Sequence, residues 1–144
     1  MTVNKMHRVF GAKENAEYLD REGAYLIPRR GNCVAVIQTT KGYFLLGGGL
    51  KQGESHLACI ERECIEEAGC SPIVEGSLCS AEAYIRHPAI GYFHPIQSYY
   101  FGNLIDEGCR PTETDHVLLW MEYEQLKGKM YAEMQNWALE QLFE

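Results

Sequence analysis

The chain lacks any run of 18 apolar residues, which removes a membrane-spanning helix from consideration. Met1 to Arg8 is polar and no apolar segment of signal-peptide type follows it, so the sequence is read as cytoplasmic. Its six cysteines (Cys33, Cys59, Cys64, Cys70, Cys79 and Cys109) form no CxxC pair, and no Cys/His spacing of the zinc type is present. They are expected to be reduced thiols, most of them serving as apolar filler. Positive charge is also short. Thirteen Lys and Arg stand against 20 Asp and Glu, a net charge of −7. That argues against stable nucleic-acid binding and against an anionic membrane surface. There is no internal repeat and no low-complexity linker, so residues 1–144 are expected to form one domain.

What the chain does have is an unusual density of acid in one place. Glu61, Glu63, Glu66 and Glu67 follow an apolar run (Tyr43 to Leu46) and an expected glycine turn (Gly47, Gly48, Gly49). Ser55 is suited to cap a helix over 55–68, and Gly69 to end it in left-handed geometry. Residues three and four apart share a helix face, which makes Glu63, Glu66 and Glu67 neighbours on one stripe. Leu57, Ile60, Cys64 and Ala68 form the apolar stripe expected to face the core. Taken alone, such a charge run is a solvated helix face. Crowded like charges repel, however, and hard cations such as Mg²⁺ or Mn²⁺ take oxygen ligands, so a cation offsetting them is the sharper reading.

The order of the parts is more specific than the charges. Gly48, five residues, Glu54, seven residues, Arg62-Glu63, an apolar residue, any residue, Glu66-Glu67, any residue, Gly69 and a final apolar residue resembles the box of the Nudix hydrolase family (MutT-like). Every fixed position is filled; Cys64 and Cys70 stand where an aliphatic residue is commoner. The resemblance implies an α/β fold, an α/β/α sandwich around a mixed β-sheet. It implies divalent-metal-dependent hydrolysis of a phosphoanhydride bond in a nucleoside diphosphate linked to another moiety, such as a (modified) nucleoside triphosphate. By the same resemblance, Glu63 and Glu67 are principal metal ligands. Glu66 is a third ligand, or the group that orients or deprotonates the attacking water. The Gly47 carbonyl is a backbone ligand, and Arg62 and Glu54 form a pair that holds the loop against the helix. Members differ in their general base, and some draw it from a later loop. Here that loop offers Glu113, which precedes an apolar strand by four residues, and Asp115, with Asp106 and Glu107 further back; solvated loop acids are the alternative.

Elsewhere the pattern predicts strands over 6–10, 24–28, 33–39 and 43–46. It predicts extended stretches within 73–86, with Gly76 at a bulge or turn, and strands from 93 or 95 to 104 and over 117–121. A helical turn over 122–126 and a closing amphipathic helix over 130–143 complete the chain. Tyr84, Tyr92, Phe93, Tyr99, Tyr100 and Phe101 form an aromatic-rich region that can supply both core and a stacking surface for a nucleobase. Arg29, Arg30, Arg86 and His87 are candidate phosphate contacts. No signature for dinucleoside polyphosphates, ADP-sugars or CoA is found. The alternatives to the leading reading are a dinucleoside polyphosphate hydrolase and a non-catalytic, nucleotide-binding regulatory domain. Monomer and homodimer fit equally well.

Overall fold

The computed structural model describes residues 6–105 and 115–144. Along the chain these form β1 (Met6–Phe10), β2 (Leu19–Arg30), β3 (Cys33–Thr39), β4 (Gly42–Phe44), β5 (Leu46–Gly49), α1 (His56–Ala68), β6 (Ser71–Ala83), β7 (Ile85–His87), β8 (Gly91–Ile105), β9 (Val117–Glu122), α2 (Tyr123–Leu126) and α3 (Glu133–Phe143). The strand order is β1-β6-β8-β2-β3-β4, with β5 on β2, β7 on β8 and β9 on β3. The sheet is mixed. β1 runs parallel to β6 and β2 parallel to β8, while the other pairings are antiparallel.

Two-residue alternation divides the sheet between two cores. Val34 and Val36 of β3 join Ile27, Tyr99 and Leu45 in a cluster with Met134, Trp137, Ala138 and Leu139 of α3. Ala35 and Ile37 join Leu26 and Leu46 in a second cluster, with Cys59, Ile60, Cys64 and Ala68 of α1. Helices thus cover both faces, the expected α/β/α sandwich.

Several expectations need correction. β2 begins at Leu19, five residues before the predicted start, because its first half is exposed and polar and carries no apolar alternation. The three glycines are not a turn. They lie in β5, antiparallel to β2 with Gly47 opposite Tyr25 and Gly48 opposite Ala24. A Cβ on Gly47 would sit 2.2 Å from the Ala24 carbonyl oxygen, and its φ is 146°, so glycine is required by close approach. Leu57 is 55% exposed, because it lies in the first turn of α1, while Cys59 is fully buried. Gly76 does mark a bulge between β6 and β8, where the Phe101 ring occupies the space of a Cβ. α3 starts at Glu133; Met130 instead makes an isolated bridge to Tyr43. Cys33, Cys59, Cys64 and Cys79 are free thiols, but Cys70 is disulfide-bonded, contrary to the uniformly reduced reading.

Candidate active site

The site grows from the end of β5 and the face of α1 beside it. Ser55 Oγ accepts the Ala58 N–H at 3.1 Å, which satisfies one of the free donors of the first turn. At the other end Gly69 (φ 66°) donates to the Ile65 carbonyl at 2.9 Å, closing α1 in left-handed geometry. Between these caps the helix turns Glu67 inward. Glu67 is only 9% exposed, and its Oε1 accepts the Gly47 N–H at 3.0 Å. Glu63 packs on Gly48, where an added Cβ would fall 2.8 Å from its carboxylate carbon. Gly48 is therefore a seat for a carboxylate. The most solvent-facing of the three is Glu66, 43% exposed.

Arg62 ties this corner together. Its Nε and Nη2 each donate to Glu54 at 2.8 Å, a two-pronged contact. Nη1 donates to Glu63 Oε1 at 2.7 Å and lies 3.5 Å from Glu66, and Nη2 also donates to the Gly49 carbonyl at 3.1 Å. The Lys51 N–H donates to Glu54 as well, which folds the 50–55 loop onto the helix. The Arg62 bonds first, then the Lys51 N–H, hold the Glu54 carboxyl down at about 2, so it stays ionised. Burial, then the Glu54 charge, pushes the Cys59 thiol up; the neutral Sγ–H donates to the Gly48 carbonyl at 3.3 Å.

The expected Arg62–Glu54 pair thus extends to Glu63 and Glu66, which spacing alone did not suggest. Among the described residues, no group of three or more His, Cys, Asp or Glu side chains is arranged as a metal cage. The donor set at the corner is nonetheless all oxygen, from carboxylates and glycine carbonyls, the chemistry Mg²⁺ and Mn²⁺ select. Glu113, Asp106 and Glu107 lie outside the described residues. Asp115 lines a separate recess with Lys41 and His116.

A cleft opens beside the glycines. Its polar arm, about 240 Å³, is lined by Arg21, Gly48 and Gly49. Its larger, apolar arm, about 680 Å³, runs past Gly47 to Phe44, Ile85, Tyr131 and Met134. Tyr25, Phe93, Pro95 and Gln97 line both arms and join them. Alternation explains the shared wall: Phe93, Pro95 and Gln97 lie at every second residue of β8, with Pro95 opposite Arg21 and Gln97 opposite Gly23 of β2. Burial, then the Glu67 charge, raises the Tyr25 phenol far above its ordinary range, so it remains a hydroxyl.

The basic residues divide differently from expectation. Arg29 lies over the Phe143 ring and bonds the Gly31 and Leu142 carbonyls. Arg30 lies over Trp120 and bonds Asn103 and the Leu104 carbonyl. Arg86 sits over Tyr92, 3.5 Å from Glu14, away from the glycines. His87 does line the apolar arm. The cation the sequence reading missed is Arg21, whose guanidinium lies where a Gly49 Cβ would stand, 2.4 Å from its Nε. Its only signal was parity with Gly23 and Tyr25, hidden until β2 was known to start at Leu19. Of the aromatics, Phe93 lines the cleft, Tyr99 is fully buried, and Tyr100 bonds His56.

With this geometry in view, the comparisons with known proteins agree. A family profile described as the NUDIX domain matches residues 18–141, and the chain belongs to that family. A MutT NUDIX hydrolase from Burkholderia pseudomallei superposes with a TM-score of 0.73 at 21% identity, covering 86% of this chain and 98% of its own. A NUDIX hydrolase from Nitrosomonas europaea gives 0.71 at 15% identity, covering 87% and 89%. The NUDIX domain of Shewanella oneidensis NrtR, solved with ADP ribose, gives 0.62 at 15% identity, covering 90% of each chain. At these identities the likeness speaks for the fold. Comparison with curated proteins returned no match.

Proposed function

We propose that the protein hydrolyses a phosphoanhydride bond in a nucleoside diphosphate linked to another moiety, using Mg²⁺ or Mn²⁺ at the β5–α1 corner. The observation that carries this reading is the meeting of two features at three glycines. Carboxylates gathered by Arg62 and Gly47 stand on one side of β5, and a cleft with a polar and an apolar arm opens at Gly47, Gly48 and Gly49.

Glu63, Glu66 and Glu67, with the Gly47 carbonyl, would hold the metal. A divalent ion bound there offsets phosphate charge and lowers the pKa of bound water. The remaining roles belong to the chain. Gly48 gives Glu63 its seat, and the Gly47 N–H fixes one oxygen of Glu67. Glu66, the most exposed carboxylate, faces solvent and orients or deprotonates the attacking water; Glu113 is the candidate base from the later loop. Arg62 and Glu54 position the others rather than touch substrate. Arg21 receives phosphate oxygens in the polar arm, and the apolar arm takes the organic group against Phe93, Phe44 and Tyr131. The ADP ribose held by the NrtR domain makes that compound a natural member of any substrate panel.

The test is a phosphate-release screen with Mg²⁺ and Mn²⁺ over nucleoside triphosphates, oxidised nucleotides, dinucleoside polyphosphates and ADP ribose, with Glu67→Gln as control. Metal-dependent release by the wild type alone supports the reading. Nucleotide-induced thermal stabilisation without release from any compound would replace it with a non-catalytic binder.

A further inference from the structure

Two glutamines line the apolar arm, and each has its carbonyl oxygen engaged by the protein. The Leu45 N–H donates to Gln135 Oε1 at 2.9 Å, and the Tyr99 hydroxyl donates to Gln97 Oε1 at 2.6 Å. A backbone N–H can only donate, so the Gln135 amide cannot turn over without leaving Leu45 unpaired in the core. Gln135 is only 2% exposed, and its Nε2 has no protein partner among the described residues. The Gln97 Nε2 has only a long contact, 3.5 Å, to the Tyr25 hydroxyl. The Gln135 amide, fixed by Leu45, therefore presents N–H donors to the cavity, and Gln97 lines the same cavity with a second amide. Among the lining side chains, the carboxylate that could serve as an acceptor is Glu133. It is exposed, and Asn136 Nδ2 already donates to it at 3.3 Å.

From this geometry we infer that the cleft selects the organic half of the substrate for hydrogen-bond acceptors, preferring a nucleobase with an exocyclic oxygen to its amino counterpart. The inference rests on the nucleotide reading of the site given above and specifies its substrate class. A keto oxygen accepts from a fixed amide N–H₂. An exocyclic amino group at the same place sets donor against donor and leaves both unpaired in an apolar enclosure. Apolar walls strengthen the discrimination because water is excluded from the mismatch.

Inosine and adenosine nucleotides share their ring skeleton and contrast keto with amino at C6, which makes them the direct probe. Calorimetry with triphosphate analogues of both, methylene-bridged at each anhydride position, measures binding without turnover. The wild type should bind the inosine compound roughly tenfold more tightly, as expected for one hydrogen bond gained against one donor left unpaired. Gln135→Glu and Gln97→Glu keep an acceptor for Leu45 and Tyr99 but replace the donating end with an oxygen. Each should bring the ratio to near unity or reverse it. Equal affinity of the wild type for the two compounds, or binding of neither, overturns the inference whatever the variants do. Glu67-dependent hydrolysis alongside equal affinities would overturn this inference and leave the proposed function standing. Inosine preference without any hydrolysis would do the reverse.

Discussion

At the β5–α1 corner each box carboxylate is held by a neighbour: Glu54 by Arg62 and the Lys51 N–H, Glu63 and Glu66 by Arg62, Glu67 by the Gly47 N–H. In the apolar arm the Gln135 amide is held at one end only. Its oxygen is anchored by the Leu45 N–H, and its nitrogen is left for the cavity. On the proposed reading the corner fixes charge and the arm reads a ligand. A site whose chemistry is common to many substrates needs the first. A site that must tell one organic group from another needs the second. The assignment of chemistry to the corner and recognition to the arm can be broken by variants that change the wrong kinetic constant.

The largest effects are expected at the box carboxylates. Glu63→Gln should lower kcat about 10²–10³-fold with KM little changed and the melting temperature retained, a split read from steady-state kinetics. A change confined to KM would move Glu63 out of the corner's chemistry. Gly47 and Gly48 sharpen the comparison from within. An alanine at Gly47 meets the Ala24 carbonyl and the Tyr25 backbone at φ 146°, so Gly47→Ala should reduce unfolding free energy by roughly 2–4 kcal/mol in a denaturant titration. An alanine at Gly48 meets only the end of the Glu63 side chain, which can swing aside. Gly48→Ala should therefore remain folded and lose turnover by about tenfold as Glu63 is displaced.

In the arm, Phe93→Ala removes a wall of the cleft without touching a carboxylate. It should raise KM about tenfold and leave kcat within about twofold. The smallest effect is a pH limb. The Glu54 carboxyl falls from an ordinary 4.5 to about 2 on folding. A depressed carboxylate stabilises the fold above its unfolded pKa and loses that contribution as pH falls toward its folded one. The melting-temperature gap between wild type and Glu54→Gln should be constant above about pH 5 and close between 4.5 and 2.

The two regions also differ in how far they could be read from the chain. The corner lies within 23 consecutive residues, Gly48 to Cys70, so helix periodicity placed Glu63, Glu66 and Glu67 on one stripe and the family resemblance paired Glu54 with Arg62. Likewise β3, an uninterrupted apolar run, was recovered over the predicted 33–39. The arm takes Phe44 from β4, Ile85 from β7, Gln97 from β8 and Gln135 from α3. No local period links residues so far apart; only the parallel pairing of β2 with β8 and the docking of α3 bring them together. Arg21 was missed for a related reason, since the exposed half of β2 shows no apolar alternation. The glycines were misread as a turn because composition favours one; their close backbone pairing with β2 is a tertiary fact. Arg29 and Arg30 looked available as phosphate contacts, but their guanidiniums lie over Phe143 and Trp120, which are 114 and 90 residues further along the chain.

The central claim is that the corner carboxylates bind a divalent ion on which hydrolysis depends. Titrating Mn²⁺ into wild type and Glu67→Gln, with free Mn²⁺ followed by electron paramagnetic resonance and product release measured in the same samples, tests it most directly. The account predicts that the wild type takes up Mn²⁺ in step with release. It predicts at least tenfold weaker uptake and no release in the variant, as loss of one charged ligand entails. Equal Mn²⁺ uptake and equal release by the two proteins would contradict it.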